Sequence, residues 1–269
     1  MDYLSRESAP FSEALWNKIN DTIINSARKH LVGRKFLDIY GPLGAGVSSI
    51  VYDKGTAFEE EKDGIVRTAN RSFVELPQIY EDFTISWRDI EASEASGVPL
   101  DMSSVWAAAQ MLANKEDRLI FYGSSHTKTE GLLNAKGVEK INLSNWKEGE
   151  NAYTDVVSGV LKLQENGIMG SYVLCVSPAL YIELQRIQPG TGIIEKDRIA
   201  SQLSGLYAAP VLKGRSAVLL SAEPQNLDLA IGVDMSAAYL ELKDLNHVCR
   251  ILETAVVRIK RPQSIVVYE

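Results

Sequence analysis

Hydrophobic residues recur every four positions near the N-terminus. Leu15, Ile19, Ile23, Ala27 and Leu31 share one face, and Trp16 and Ile24 widen it. That stripe predicts an amphipathic helix running to about Leu31. Ser12, ahead of Glu13 and Leu15, reads as its N-cap, and Gly33 as its stop. Phe36–Tyr40 then reads as a short strand and Gly41-Pro42 as a turn. Residues 47–79 look extended and exposed, with strand-like segments at 49–52 and 65–68. Lys54-Gly55 and the acidic run 59–64 mark loop and turn between them. A hairpin of this length has little core of its own and would rest on something else, such as a neighbouring subunit.

From Glu81 to Ile90 the pattern changes to alternation. Phe83, Ile85 and Trp87 fall on one face and Asp82, Thr84, Ser86 and Arg88 on the other, which predicts a half-buried strand. Gly97-Val98-Pro99 breaks the chain. A helix from about Ser103 to Leu119 follows, capped by Asp101 or Ser103, with Val105, Ala109, Leu112 and Ala113 inward. Further helices are expected at about 154–164, 178–187 (serine cap, proline at the first position) and 195–203. Strands are expected at 172–176, 217–221, 228–233, 251–259 and 263–268. The order is mixed α+β, without the regular alternation of a doubly wound fold. It suggests nested lobes, one of them spanning residues of about 140–225.

Composition narrows the class. A chain of 269 residues can hold one large domain or two intertwined ones, and 45% hydrophobic and 23% charged residues suit a globular protein. The net charge of −7 argues against a nucleic-acid footprint. Cys175 and Cys249 sit in apolar, strand-like runs and read as buried, inert thiols, so no disulfide framework points to secretion. The N-terminus lacks signal-peptide character and no apolar run approaches a bilayer span, so a cytoplasmic protein is expected.

Candidate chemistry is sparse. Gly41-Pro42-Leu43-Gly44-Ala45-Gly46-Val47-Ser48 resembles a phosphate loop only superficially. It lacks the lysine that would meet the phosphates, and Pro42 removes a backbone donor. His30, His126 and His247 do not pair with each other or with a cysteine at metal-ligand spacing. Ser124-Ser125-His126 reads as a surface turn, the Asp89/Glu91 pair as chance, and Arg258–Pro262 as an exposed strand end. With no convergent polar chemistry, the projecting arm and terminal helix favour a structural or assembly role.

The stretch Leu31 to Gly44, Leu-x-Gly-Arg-Lys-Phe-x-Asp-x-x-Gly-Pro-x-Gly, closely resembles the encapsulin shell proteins, the linocin-type bacteriocin family. Further matches keep the same order: Ser8-Ala9-Pro10, Phe83-Thr84 to Trp87, Glu116-Asp117 to Gly123, Gly131-Leu132-Leu133, Asn166-Gly167 to Leu174, Asp234 to Tyr239 and Glu253-Thr254. Tyr40–Gly44, Pro210–Gly214 and Arg258–Pro262 look most like Firmicute members.

The resemblance implies the tailed-phage major capsid fold of the Hong Kong 97 type. Residues 1–46 would hold the N-terminal helix and start of a peripheral domain. Residues 47–80 would be an extended loop pairing with a neighbour, and 81–139 the peripheral domain with its spine helix. Residues 140–225 would be the axial domain, with 226–269 returning to the peripheral domain. About sixty identical chains, or a multiple, would close an icosahedral shell around a cargo enzyme, a ferritin-like iron-storage protein or a dye-decolourising peroxidase. A short C-terminal peptide on that cargo would dock in a groove lined by Ile23, Ile24, Ala27, Leu31, Arg34 and Asp38 on one side and Asp234, Met235 and Ala238 on the other. Gln188, Pro189, Gly190, Thr191 and Gly192 would line a five-fold pore admitting ions and small molecules. No catalytic residue, metal or cofactor is expected. Trp87 matches the aromatic near which some family shells hold flavin, but Gln78-Ile79-Tyr80 lack the accompanying arginine, and a packed or interface tryptophan is the preferred reading. A prophage capsid protein is the second reading, disfavoured because no scaffolding-like segment precedes the first helix. A small-molecule enzyme is the third.

Overall fold

A computed structural model describes residues 3–188, 190 and 192–269, apart from the side chains of 55–57. In chain order its elements begin with α1 (Glu13–His30), β1 (Ile39–Tyr40), β2 (Ser49–Lys62), β3 (Ile65–Glu75), β4 (Gln78–Ile85), α2 (Trp87–Ser96), α3 (Ser103–Tyr122) and β5 (Glu139–Ile141). There follow α4 (Asn151–Glu165), β6 (Val173–Val176), α5 (Pro178–Glu183), α6 (Glu195–Ala200), β7 (Gly205–Ala208) and β8 (Ala217–Leu220). The chain closes with β9 (Leu227–Ile231), β10 (Ser236–Lys243), β11 (Asn246–Ile259) and β12 (Ile265–Tyr268).

Two five-stranded sheets organise these elements. The first is built on β11, whose fourteen residues pair with β10 and β4 along the first part and with β9 along the second. β1 adds in parallel beside β9. The second sheet runs β5-β12-β8-β6-β7. Strands buried on both faces read as unbroken apolar runs, as Val173–Val176 and Ala217–Leu220 do. One core, including Phe121, Cys175, Leu220, Leu229 and Val257, joins the two sheets. A second packs α4, α5 and α6 on the second sheet around Trp146 and Tyr268. A third packs α1 and α3 on the first sheet through Ile19, Ile23, Val105, Leu112 and Ile251.

The N-terminal helix starts where its cap predicts, with Ser12 Oγ accepting from Leu15 N. Ser177 caps α5 in the same way. Trp87 is not on a strand, because pairing with β11 ends at Ile85 and the chain turns at Ser86 into α2. Glu91, Ala92, Glu94 and Ala95 are good helix formers, and Gly97 ends the helix in the left-handed conformation. The last strand also departs from the expected layout. β9, β10 and β11 share the first sheet, but Ile265–Tyr268 inserts between β5 and β8 of the second. The short C-terminal segment therefore ties the two sheets together.

The arm is more regular than its composition suggests. Strands β2 and β3 pair along nearly their whole length, interrupted by one register shift between Asp53 and Phe58. The acidic run is strand up to Lys62. Only Asp63-Gly64 turns, with both residues at positive φ, the two-residue hairpin geometry that Asp-Gly favours. Fourteen residues of strand reach roughly 45 Å. The arm leaves Ile65 73% and Phe73 74% exposed, and among the described residues neither strand has a second neighbour.

Candidate functional site

A groove of about 390 Å³ opens beside the C-terminal half of α1. The 3.6-residue period sends Ile23, Ala27 and Leu31 into the body and leaves Ile24 on the open side, 45% exposed. The opposite wall is the turn between β9 and β10, carrying Asp234 and Met235. Met235 packs against Ala27, Leu31 and Ala113, so the two walls are in contact at the base.

Arg34 fixes that base. Its Nε donates to Glu116 Oε1 at 2.9 Å, one terminal nitrogen to Glu116 and Glu253, and the other to Asp234 Oδ1 at 2.7 Å. The Glu116 and Glu253 side chains are fully buried, and that of Arg34 is 15% exposed. Burial opposes the charge on Arg34, but the three carboxylates outweigh it and raise its pKa. Burial, with Glu116 alongside, pushes Glu253 well above the usual carboxylate range. One Glu253 oxygen has no partner.

The next residue of α3 fastens the same segment. Asp117 accepts from Val32 N at 2.9 Å and from Gly33 N at 2.8 Å. A side chain on Gly33 would start 2.4 Å from Ile120 Cδ1, so glycine is what allows α3 to approach. Burial raises the Asp117 pKa from 3.8 to about 7, against the opposing effect of the two backbone donors. A carboxyl raised on folding stabilises in its protonated form. That contribution is complete below about pH 3.8 and is lost as pH rises through about 7. Glu253 acts with the same sign. Asp117→Asn is therefore expected to flatten part of the decline in melting temperature between pH 4 and pH 7, as read by calorimetry (both limits roughly set by the two Asp117 values). An unchanged slope would contradict this assignment.

Of the residues expected at the groove, Ile23, Ile24, Ala27, Leu31, Arg34, Asp234 and Met235 line this one cavity. Asp38 and Ala238 do not. Asp38 lies beyond the turn, its carbonyl accepting from Leu229 N, and Ala238 is buried opposite Arg250 in the first sheet. Arg28 and Lys35, which sequence reasoning missed, complete the lining. Arg28 follows Ile24 by one helical turn, so the exposed stripe carried that signal. Glu116 also gave one, as a carboxylate spaced four from both Leu112 and Ile120 in an apolar stripe.

Elsewhere, Gln188 is 5% exposed and its amide oxygen accepts from Arg186, while Gly190 is exposed at the loop tip. Pro189 and Thr191 lie outside the described residues. Trp87 is 38% exposed, with the Arg88 guanidinium 5.5 Å from its ring centre. Cys175 and Cys249 are free and buried, and burial pushes the Cys249 thiol up to about 12. Among the described residues, no group of three or more His, Cys, Asp or Glu could hold a metal ion. No helix there is long and apolar enough to cross a membrane.

The two sheets, the long helix on one of them and the projecting hairpin define the capsid-type fold of the Hong Kong 97 class. Solved structures share the fold: a virus-like particle from Pyrococcus furiosus (TM-score 0.77, 20% identity, 95% of this chain and 99% of that one) and the capsid of the Myoviridae phage XM1 (TM-score 0.66, 13% identity, 87% and 90%). A family profile described as "Encapsulating protein for peroxidase" matches residues 1–256. The type 1 encapsulin shell protein EncA of Myxococcus xanthus is 40% identical over 277 aligned residues, covering 100% of this chain and 96% of its own. A diheme-cytochrome-encapsulin shell fusion protein of Kuenenia stuttgartiensis is 36% identical, covering 94% of this chain and 72% of its own. The chain belongs to the encapsulin shell protein family, whose members are structural proteins and not enzymes.

Proposed function

We propose that this chain is the shell subunit of a cytoplasmic nanocompartment that encloses a cargo enzyme. About sixty copies, or a multiple, close by point-group symmetry. The arm, with Ile65 and Phe73 exposed and its outer strand edges unpaired among the described residues, gains its partners from neighbouring copies. The observation that carries the cargo assignment is the groove between α1 and the β9–β10 turn. Ile24 and Met235 offer apolar contact, and Asp234, Arg28 and Lys35 offer charge beside it. A short extended peptide suits that mixture. Arg34, held by three carboxylates, shapes the wall and keeps it rigid. The cargo is of the ferritin-like or dye-decolourising peroxidase class; the family's description, which names a peroxidase, supports the second. The loop carrying Gly190 and Gly192 serves as the five-fold pore for ions and small molecules. Trp87, already stacked by Arg88, serves as an interface residue and not as a flavin platform.

Size-exclusion chromatography followed by negative-stain microscopy tests assembly. Closed, uniform particles are expected from the purified chain alone. A monomer or dimer without particles would overturn the reading.

A further inference from the structure

A cleft of about 690 Å³ that the shell role leaves unused lies where the last turn of α3, the 123–129 loop and the 210–213 segment meet. Its charge is one-sided. Arg118, Lys128 and Lys213 line it and no Asp or Glu does, although the chain as a whole carries 35 acidic and 28 basic residues. Among the described residues, the side chains of Arg118, Lys128 and Lys213, and of Asn114 and Ser125 on the same walls, make no hydrogen bond or ion pair. Three cations thus line one space with no carboxylate among them.

The walls are fixed before anything binds. The Tyr122 hydroxyl donates to Val211 O and accepts from Lys213 N, locking the helix end to the 210–213 segment. Ser124 and Thr129 exchange both backbone hydrogen bonds and close the loop on itself. Gly123 permits that closure, since a side chain there would start 2.2 Å from Thr129 O. Lys128 is held at φ 54, a left-handed conformation that costs a lysine energy. Pro210, Val211 and the Tyr122 ring supply an apolar side. The volume lies within the roughly 300–1,000 Å³ common for small-ligand sites.

We infer that this cleft is a binding site for a phosphomonoester, its dianionic head met by Arg118, Lys128 and Lys213 and its apolar body laid against Pro210 and Val211. The head takes the charge-assisted hydrogen bonds that cations form with phosphate oxygens. The body separates such an ester from free phosphate.

Isothermal titration of purified, assembled shells tests this, with adenosine monophosphate and inorganic phosphate as the two probes. Saturable binding of adenosine monophosphate near one site per chain is expected, with inorganic phosphate weaker by about tenfold or more. Arg118→Ala and Lys213→Ala should each weaken binding about tenfold. Lys128→Gly should weaken it while raising the melting temperature, because glycine relieves the left-handed backbone. Equal affinity for the two probes would overturn the assignment to an ester. Absence of saturable binding would overturn the site altogether, and would be the outcome if a neighbour's acidic 59–63 segment fills the cleft in the shell. Wild-type affinity in Lys128→Gly, with particles intact by microscopy, would also overturn it.

Discussion

Replacing Arg34 by methionine is expected to destabilise the subunit by about 3–5 kcal/mol at neutral pH, the scale for removing one partner of a buried ion pair. The loss arises mainly from what stays behind. Glu116 and Glu253 are both fully buried, and the guanidinium is the cation that both contact. A subunit stability of about 5–15 kcal/mol leaves little after such a loss, so soluble particles should become scarce. Two features separate this account from simple loss of packing. The defect should shrink on acidification, because protonated carboxyls no longer need the cation. It should also shrink in the double variant with Glu253→Gln, which leaves only one buried carboxyl facing the vacated position. Particle yield and melting temperature at two pH values report both. Unchanged stability in Arg34→Met would show that the cluster is not what holds the segment after α1.

The second large effect belongs to the groove. Ile24→Asp and Met235→Asp should leave shell size unchanged while cargo co-purification falls about tenfold or more. Burying one aliphatic side chain is worth about 1.5–3 kcal/mol, and each 1.4 kcal/mol is about tenfold in affinity. Ile24 is the cleaner probe, since it is 45% exposed in the subunit and contributes little to its core. The ratio of cargo to shell bands, measured on particles of confirmed size, gives the result. Full loading in both variants would place the docking site elsewhere.

What could be read from the sequence follows from how local each signal was. The first helix was legible because its stripe is four-spaced and its cap sits at the right position. The arm was legible as a projection, but its turn was misplaced: the acidic run obscured Asp63-Gly64, and charged residues on an exposed ladder look like loop. The start of α2 was not legible, because the alternation of Phe83 and Ile85 continues by chance to Trp87 after pairing has ended. Strand β10 went unread, since Ala237 and Ala238 are small and its second half, Leu240 to Lys243, is exposed on both faces. β11 was read short for a related reason. Its first half alternates between buried and half-buried residues, and only the last five are continuously buried.

The groove divides along the same line. Ile23, Ala27 and Leu31 follow from the helix period. Their grouping with Asp234 and Met235 came only through the family resemblance, because no local pattern links residues so far apart. The charge cluster was invisible to pattern reading altogether. Arg34 meets Glu116 across 82 positions and Glu253 across 219. A sequence shows three ordinary charges there, and only the fold shows that two of them are fully buried. The need for glycine at position 33 has the same origin, in a helix that arrives from elsewhere in the chain.

The central claim is that α1 and its groove face the inside of a closed shell and receive a peptide there. Cryo-electron microscopy of particles co-expressed with a cargo protein bearing a short apolar C-terminal tail tests it most directly. The account predicts closed particles with added density over Ile24 and Met235 on the luminal surface. Particles in which that groove faces outward, or is filled by a neighbouring subunit, would contradict it.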